Sequence, residues 1–277
     1  MLVFQNYRYQ WNRHGPHIPL SHYDTNETKT PLHICFVGAS HSRVLNEYCQ
    51  TALNQNYTFL ARSGVSCHFN VTDAIRYPQD ITPDYIENSI GNRDQCTHIV
   101  VGLFQHYMSF KLKNAKNIYG RDDPVTFGNW KGNMTVAVKN LAEFAGRPES
   151  PLKKIYLRSV HPNAMGMWYS QCPTKDGRSL PNADIATSIL RDIAEDFSFT
   201  PPSNNNNNNN RTGSQTQPQQ ASIVSFMDTN PIIHPVWDSA EDYCHYTWDA
   251  SAYEIEYILS KPMQEEWGPV KSRIKPG

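Results

Sequence analysis

The chain has 277 residues and a formal charge of −1, which excludes a global electrostatic pull towards nucleic acid or anionic membranes. With 39% hydrophobic and 12% aromatic residues it can bury a sizeable core, so it is not a disordered chain. No apolar run approaches the roughly 20 residues that span a bilayer, and the opening MLVFQNYRYQWNRHG has too short an apolar region for a secretory signal peptide.

Residues 1–30 are polar and aromatic without periodicity and read as an extended lead-in. From residue 31 to 262, strand-like runs alternate with helical ones. HICFVG (33–38), YTFLA (57–61), THIVVGL (97–103), KKIYLRS (153–159) and SIVSFMDT (222–229) are short and rich in Val, Ile and Phe. Several are apolar throughout, as parallel strands covered on both faces require. Helical periodicity falls at about 41–53, 81–90, 130–145, 182–196 and 250–260. This alternation predicts an α/β fold: a three-layer α/β/α sandwich around a mainly parallel sheet of about five strands. One stretch stands apart. PPSNNNNNNNRTGSQTQPQQ (201–220) cannot bury enough surface to order itself and reads as a disordered low-complexity insertion in a surface loop. Residues 263–277 read as a tail.

The six cysteines (35, 49, 67, 96, 172 and 244) contain no C-x-x-C pair, which argues against zinc ribbons and thioredoxin-like redox motifs. Five N-x-[ST] sequons begin at Asn26, Asn56, Asn70, Asn133 and Asn210, the pattern of a glycoprotein of a secretory lumen or the cell exterior. A chain start lacking its original leader or anchor reconciles this with the absent signal peptide.

The chemistry begins at HICFVGASHSR, residues 33–43. A strand, then Gly38, Ala39 and Ser40, then a helical run put Ser40 at a helix N-terminus, where unpaired N–H groups favour negative charge. Ser40 is either a helix cap or a nucleophile whose oxyanion forms at those groups. There is no P-loop, no G-x-G-x-x-G, and no G-x-S-x-G, because Ser42 occupies the last glycine position. A serine nucleophile needs a base, and the base needs an orienting acid. PVWDSAEDYCHYTW (235–248) supplies Asp242 and His245, three apart; Asp238 is the rival acid, seven residues from His245. The serine follows the first strand and the Asp/His pair follows the last, so both can face the crevice at the carboxyl ends of a doubly wound sheet.

A serine after the first strand with a terminal Asp-x-x-His resembles the SGNH (GDSL-type) hydrolase superfamily, which has a flavodoxin-like sheet. FVGASHSR is similar to the G-D-S-x-x-R block of its PC-esterase branch, which includes trichome-birefringence-like and sialic-acid O-acetyltransferases. The likeness covers roughly residues 31–260, with Ala39 in place of the block's aspartate. It implies an oxyanion hole made by the N–H groups of Ser40 and Gly64, the latter in LARSGVSC, and a side-chain amide after the third strand. The family's G-x-N-D asparagine is missing there, and Gln105 in VVGLFQHY offers an equivalent amide. Gly64 is otherwise a turn glycine.

Arg43 matches the block's arginine and either binds substrate or pairs with Glu47 at i+4. His106, Arg158 and His161 follow the third and fourth strands and are candidates for substrate contact or for plain structural roles. Cys35 reads as a buried strand residue, and Cys172 with Cys244 as a disulfide pinning the His245 loop in an oxidising compartment. The reading that follows is a serine esterase or O-acetyltransferase. Ser40, His245 and Asp242 form its triad, it acts on an O-acylated carbohydrate, and it requires no metal or organic cofactor. The alternative is a non-catalytic glycan-binding domain on a degenerate SGNH scaffold.

Overall fold

A computed structural model describes residues 20, 23, 29–70, 72–107, 127–162, 180–198, 222–233 and 245–268. Five strands, β1 (Leu32–Gly38), β2 (Val65–His68), β3 (His98–Gly102), β4 (Lys154–Arg158) and β5 (Val224–Met227), form one sheet in the order β2-β1-β3-β4-β5. Every pairing is parallel. The order reverses between β1 and β3, and in such sheets ligands bind at that switch point, outside the carboxyl ends of the strands.

The layers follow from side-chain alternation. Along β1, Cys35 and Val37 face one core, while Leu32, Ile34 and Phe36 face the other. The first core is covered by α3 (Phe127–Ala145) and α4 (Leu180–Ser198). Helix α3 buries Trp130, Met134, Ala137, Val138, Leu141 and Phe144, a stripe at helical spacing. The second core is covered by α1 (Ser40–Gln55) and α5 (Trp248–Trp267), through Leu45, Tyr48 and Leu53 on one and Ile255, Ile258, Leu259 and Met263 on the other. No helix among the described residues is long and apolar enough to cross a membrane.

Four expectations change. YTFLA is not a strand: Thr58–Arg62 is a short helix, α2, and the strand beside β1 is Val65–His68. The aromatic and β-branched run mimics a strand locally, but only Leu60 of α2 is buried, whereas VSCH buries Val65 and Cys67 against β1. The stretch expected as one helix over 81–90 is a turn at Pro83–Tyr85 capped by the Thr82 side chain, opening into a π-helical stretch, Ile86–Arg93. The last helix does not stop near residue 260. It continues through Pro262 to Trp267, because burial of Met263 and Trp267's N–H bond to the Thr30 carbonyl outweigh the hydrogen bond that proline removes. The domain boundary at 262 therefore falls inside α5, and Leu20 and Tyr23 of the lead-in belong to the second core.

The fourth change concerns cysteines. Cys35 is the buried strand residue that was expected, but it is also bonded to Cys96, and Cys49 of α1 is bonded to Cys67 of β2. The separations of 61 and 18 residues correspond to about 4 and about 3 kcal/mol of lost unfolded-chain entropy. The Cys172–Cys244 pairing and the 201–220 insertion lie outside the described residues.

Candidate active site

Helix α1 begins immediately after β1 at the switch point, with Ala39 as its N-cap residue and no side-chain cap. Ser40 is therefore the first helical residue rather than the cap, and the first turn carries no acidic side chain. Nothing on the helix itself neutralises the positive end of its dipole, which leaves that end suited to a developing anion. The neighbouring serine is occupied: Ser42 is buried and its hydroxyl donates to the Val37 carbonyl at 3.3 Å. Gly38 makes this tight turn feasible, since a Cβ there would collide with the Ser42 hydroxyl and come within 2.5 Å of the Gly102 carbonyl.

His245 arrives at the same place from the far end of the chain. Its ring lies 5.0 Å, centroid to centroid, from that of His41, the residue next to Ser40, with the planes 32° apart. Asp242 and its rival Asp238 lie outside the described residues.

The remaining predicted residues separate into two ends of the sheet. Gly64 precedes β2 instead of following it, beside Pro31 at the amino end of β1, with φ of 88° in a turn. Its N–H already donates to the Ala61 carbonyl at 3.1 Å. The length of β1, about 3.3 Å per residue, separates it from Ser40 by roughly 20 Å. Gly64 is a turn glycine and no part of an oxyanion hole; the misplaced second strand is the source of that error. Gln105 follows β3 at the carboxyl end, and its amide nitrogen donates to the His161 carbonyl. One of its two amide hydrogens is thereby committed and the second remains. His106 is half-buried on the same loop. Arg43 is exposed and pairs with Glu47 at 3.0 Å, the i+4 alternative.

Arg158 and His161 are not substrate contacts. They are only 5% and 2% exposed and converge on Glu254 of α5, itself 2% exposed. Arg158 Nη1 donates to Glu254 Oε1 at 2.8 Å, and His161 Nε2 stands 3.1 Å from the same oxygen and 2.8 Å from Thr229 Oγ1. Burial alone would raise the Glu254 pKa, but the charges of His161 and Arg158 outweigh it and hold the carboxylate at about 2. Gly102 leaves room for the guanidinium, because a Cβ there would lie 2.8 Å from Arg158 Nη2. Sequence reasoning missed Glu254. The signal was present, since Glu254 falls on the apolar stripe of α5 with Ser251, Ile255, Ile258 and Leu259, where a carboxylate needs a buried partner.

At the level of sequence, no protein-family model and no curated protein matches the chain. Solved structures do. A catalytic mutant of Axe2, an acetylxylan esterase from Geobacillus stearothermophilus, superposes with a TM-score of 0.50 at 14% identity, covering 88% of this chain and 100% of that one. The acetyl xylan esterase AlAXEase gives 0.49 at 11% identity over 82% and 98% of the two chains. Est24, a carbohydrate acetylesterase from Sinorhizobium meliloti, gives 0.47 at 9% identity over 84% and 98%. With the parallel β2-β1-β3-β4-β5 sheet and its helical covers, the chain thus has the SGNH-type α/β/α fold.

Proposed function

We propose that this protein is a serine-dependent acyl-ester enzyme of the PC-esterase kind, acting on O-acyl groups of a carbohydrate. The carrying observation is the approach of His245 to His41 at the uncapped start of α1, beside Ser40. In this reading the Ser40 oxygen attacks the ester carbonyl while His245 takes its proton, and Asp242, three residues earlier, orients the imidazole. The oxyanion is held by the Ser40 N–H at the positive end of α1 and by the second amide hydrogen of Gln105, at ~3 kcal/mol per donor. His245 then returns the proton to the departing alcohol, leaving an acyl-Ser40 ester. Water completes hydrolysis, or a sugar hydroxyl completes acyl transfer. Arg43, although paired with Glu47, is exposed one turn beyond Ser40, which supports its role in binding substrate.

Catalytic mutants of Axe2 replace an aspartate and a histidine three positions apart, the same spacing as Asp242 and His245. Two disulfides support maturation in an oxidising compartment, hence a secretory lumen or the cell exterior, and sequons there would carry glycans. One observation favours a second reading, a glycan-binding domain on this scaffold: Gly64 is withdrawn from the oxyanion site. A fluorophosphonate probe separates the two. Labelling that disappears in Ser40→Ala supports the enzyme; no labelling of the folded native protein refutes it.

A further inference from the structure

Beneath the crevice lies a buried charge cluster that no step of the proposed reaction uses. Arg158, His161 and Glu254 occupy it with Thr229 and Ser159, whose hydroxyls are 3.1 Å apart. Buried ion pairs of this kind contribute little net stability relative to an apolar core, but their directional bonds fix one arrangement. What that arrangement fixes is visible from its contacts. The His161 ring meets Tyr246 edge-on, with centroids 5.8 Å apart and planes at 88°. The Tyr246 hydroxyl donates to the carbonyl of Pro162, the residue after His161, at 3.1 Å. Tyr246 directly follows His245, and Thr247 is the N-cap residue of α5, the helix that carries Glu254. The segment bearing His245 is thus gripped twice by one cluster, through the Tyr246 ring and hydroxyl and through α5.

We propose that Glu254, with Arg158 and His161, forms a positioning set that fixes His245 against the start of α1 by way of Tyr246. This rests on the reading of His245 as the base. None of the three touches substrate; they act through the backbone they hold. Small misplacement of a reacting group can cost up to about 100-fold in rate, so loosening this grip should appear in kcat.

The test compares two single-hydroxyl deletions. Tyr246→Phe keeps the ring on His161 and removes the hydroxyl that bonds the Pro162 carbonyl. Tyr156→Phe removes a hydroxyl bond of 2.8 Å to Glu265, which lies 11 residues along α5 from Glu254, or roughly 16 Å. With an aryl acetate, Tyr246→Phe should lower kcat about tenfold or more with KM within about twofold. It should also displace the acid limb of the pH–rate profile, while Tyr156→Phe keeps both. Glu254→Gln should change kcat and the acid limb as Tyr246→Phe does; if it does not fold, the tyrosine pair still decides. Equal kcat in the two tyrosine variants, native or reduced, overturns the proposal. If the native protein neither cleaves the ester nor labels, the enzymatic reading fails, and the placement of His245 is judged by its imidazole NMR signals. Signals altered in Tyr246→Phe and unaltered in Tyr156→Phe support the positioning set; signals unaltered in both overturn it.

Discussion

Replacing Gly102 by alanine tests the packing on which the buried cluster depends. The added methyl carbon would lie 2.8 Å from Arg158 Nη2, 3.2 Å from Nε and 3.3 Å from Cζ. An ordinary contact needs about 3.4 Å or more, so the guanidinium must retreat by roughly 0.6 Å. A surface arginine would do so at little cost. Arg158 is 5% exposed and tied to Glu254 at 2.8 Å, so retreat strains a buried, charge-assisted bond. Overpacking of this kind costs ~1–3 kcal/mol; at about 2 kcal/mol the midpoint of thermal unfolding should fall by about 4–8 °C for a domain this size. Equilibrium denaturation in urea measures it, with a second series in an Arg158→Met/Glu254→Gln background. Methionine at 158 removes the guanidinium and glutamine at 254 removes the charge it leaves behind, so the alanine should there cost less than half as much. A Gly102→Ala protein within about 0.5 kcal/mol of native, or an equal penalty in both backgrounds, refutes the argument that Gly102 exists to admit Arg158.

Ser42→Ala should destabilise by about 1 kcal/mol by removing the buried bond to the Val37 carbonyl, yet keep native kcat/KM with an aryl acetate, the reverse of Ser40→Ala. Asp242→Asn should lower kcat by about 10⁴-fold with little change in KM, by analogy with a serine-protease triad, and Asp238→Asn should cost little; the opposite ranking moves the acid to Asp238. Acid should destabilise the protein through two groups, followed by denaturation at stepped pH. Glu254 is held at about 2, below its ordinary 4.5, so its contribution of about 3 kcal/mol is present above 4.5 and is lost as pH falls from there towards 2. Burial, with the charges of Lys153 and Lys154, lowers His98 to about 4, so the folded state resists a proton that the unfolded chain accepts near 6.5, and stability falls as pH drops from 6.5 to 4. Glu254→Gln should flatten only the lower window and His98→Gln only the upper; unchanged curves would discard both assignments.

The sheet was legible because burial on both faces leaves apolar runs, and four of the five expected strands stand where HICFVG, THIVVGL, KKIYLRS and SIVSFMDT lie. The second was not, because β2 has only the four residues Val65–His68 with alternating burial, and the louder signal belongs to α2 beside it. That one misplaced strand carried Gly64 to the wrong end of the molecule. That the segments bearing Ser40 and His245 would meet was legible from chain position, since parallel strands deliver their following loops to one edge. The partners of Arg158 and His161 were not, because both lie at a strand end where an exposed and a buried fate give the same sequence. Only Glu254, about 95 residues further on, decides between them, and a lone sequence does not pair distant charges. The disulfides were hidden for the same reason: Cys35–Cys96 and Cys49–Cys67 bridge elements whose adjacency depends on the strand order.

The carboxyl edge of the sheet therefore carries two kinds of polar group with opposite demands. In the proposed reaction Ser40 and His245 must meet substrate, and they come together at the β1/β3 switch point, where the His245 ring lies against His41. Arg158, His161 and Glu254 are charged or titratable and yet closed off, one strand further along. Gly102, at the end of the intervening strand β3, touches both. Its carbonyl crowds the Gly38 turn that launches α1, and its α-carbon faces the guanidinium. A side chain at either glycine would push the two groups apart, so Gly38 and Gly102, aligned in register across β1 and β3, set how near the buried cluster stands to the helix that presents Ser40. The same sheet edge thereby sets the distance across which the proposed positioning set would act on His245.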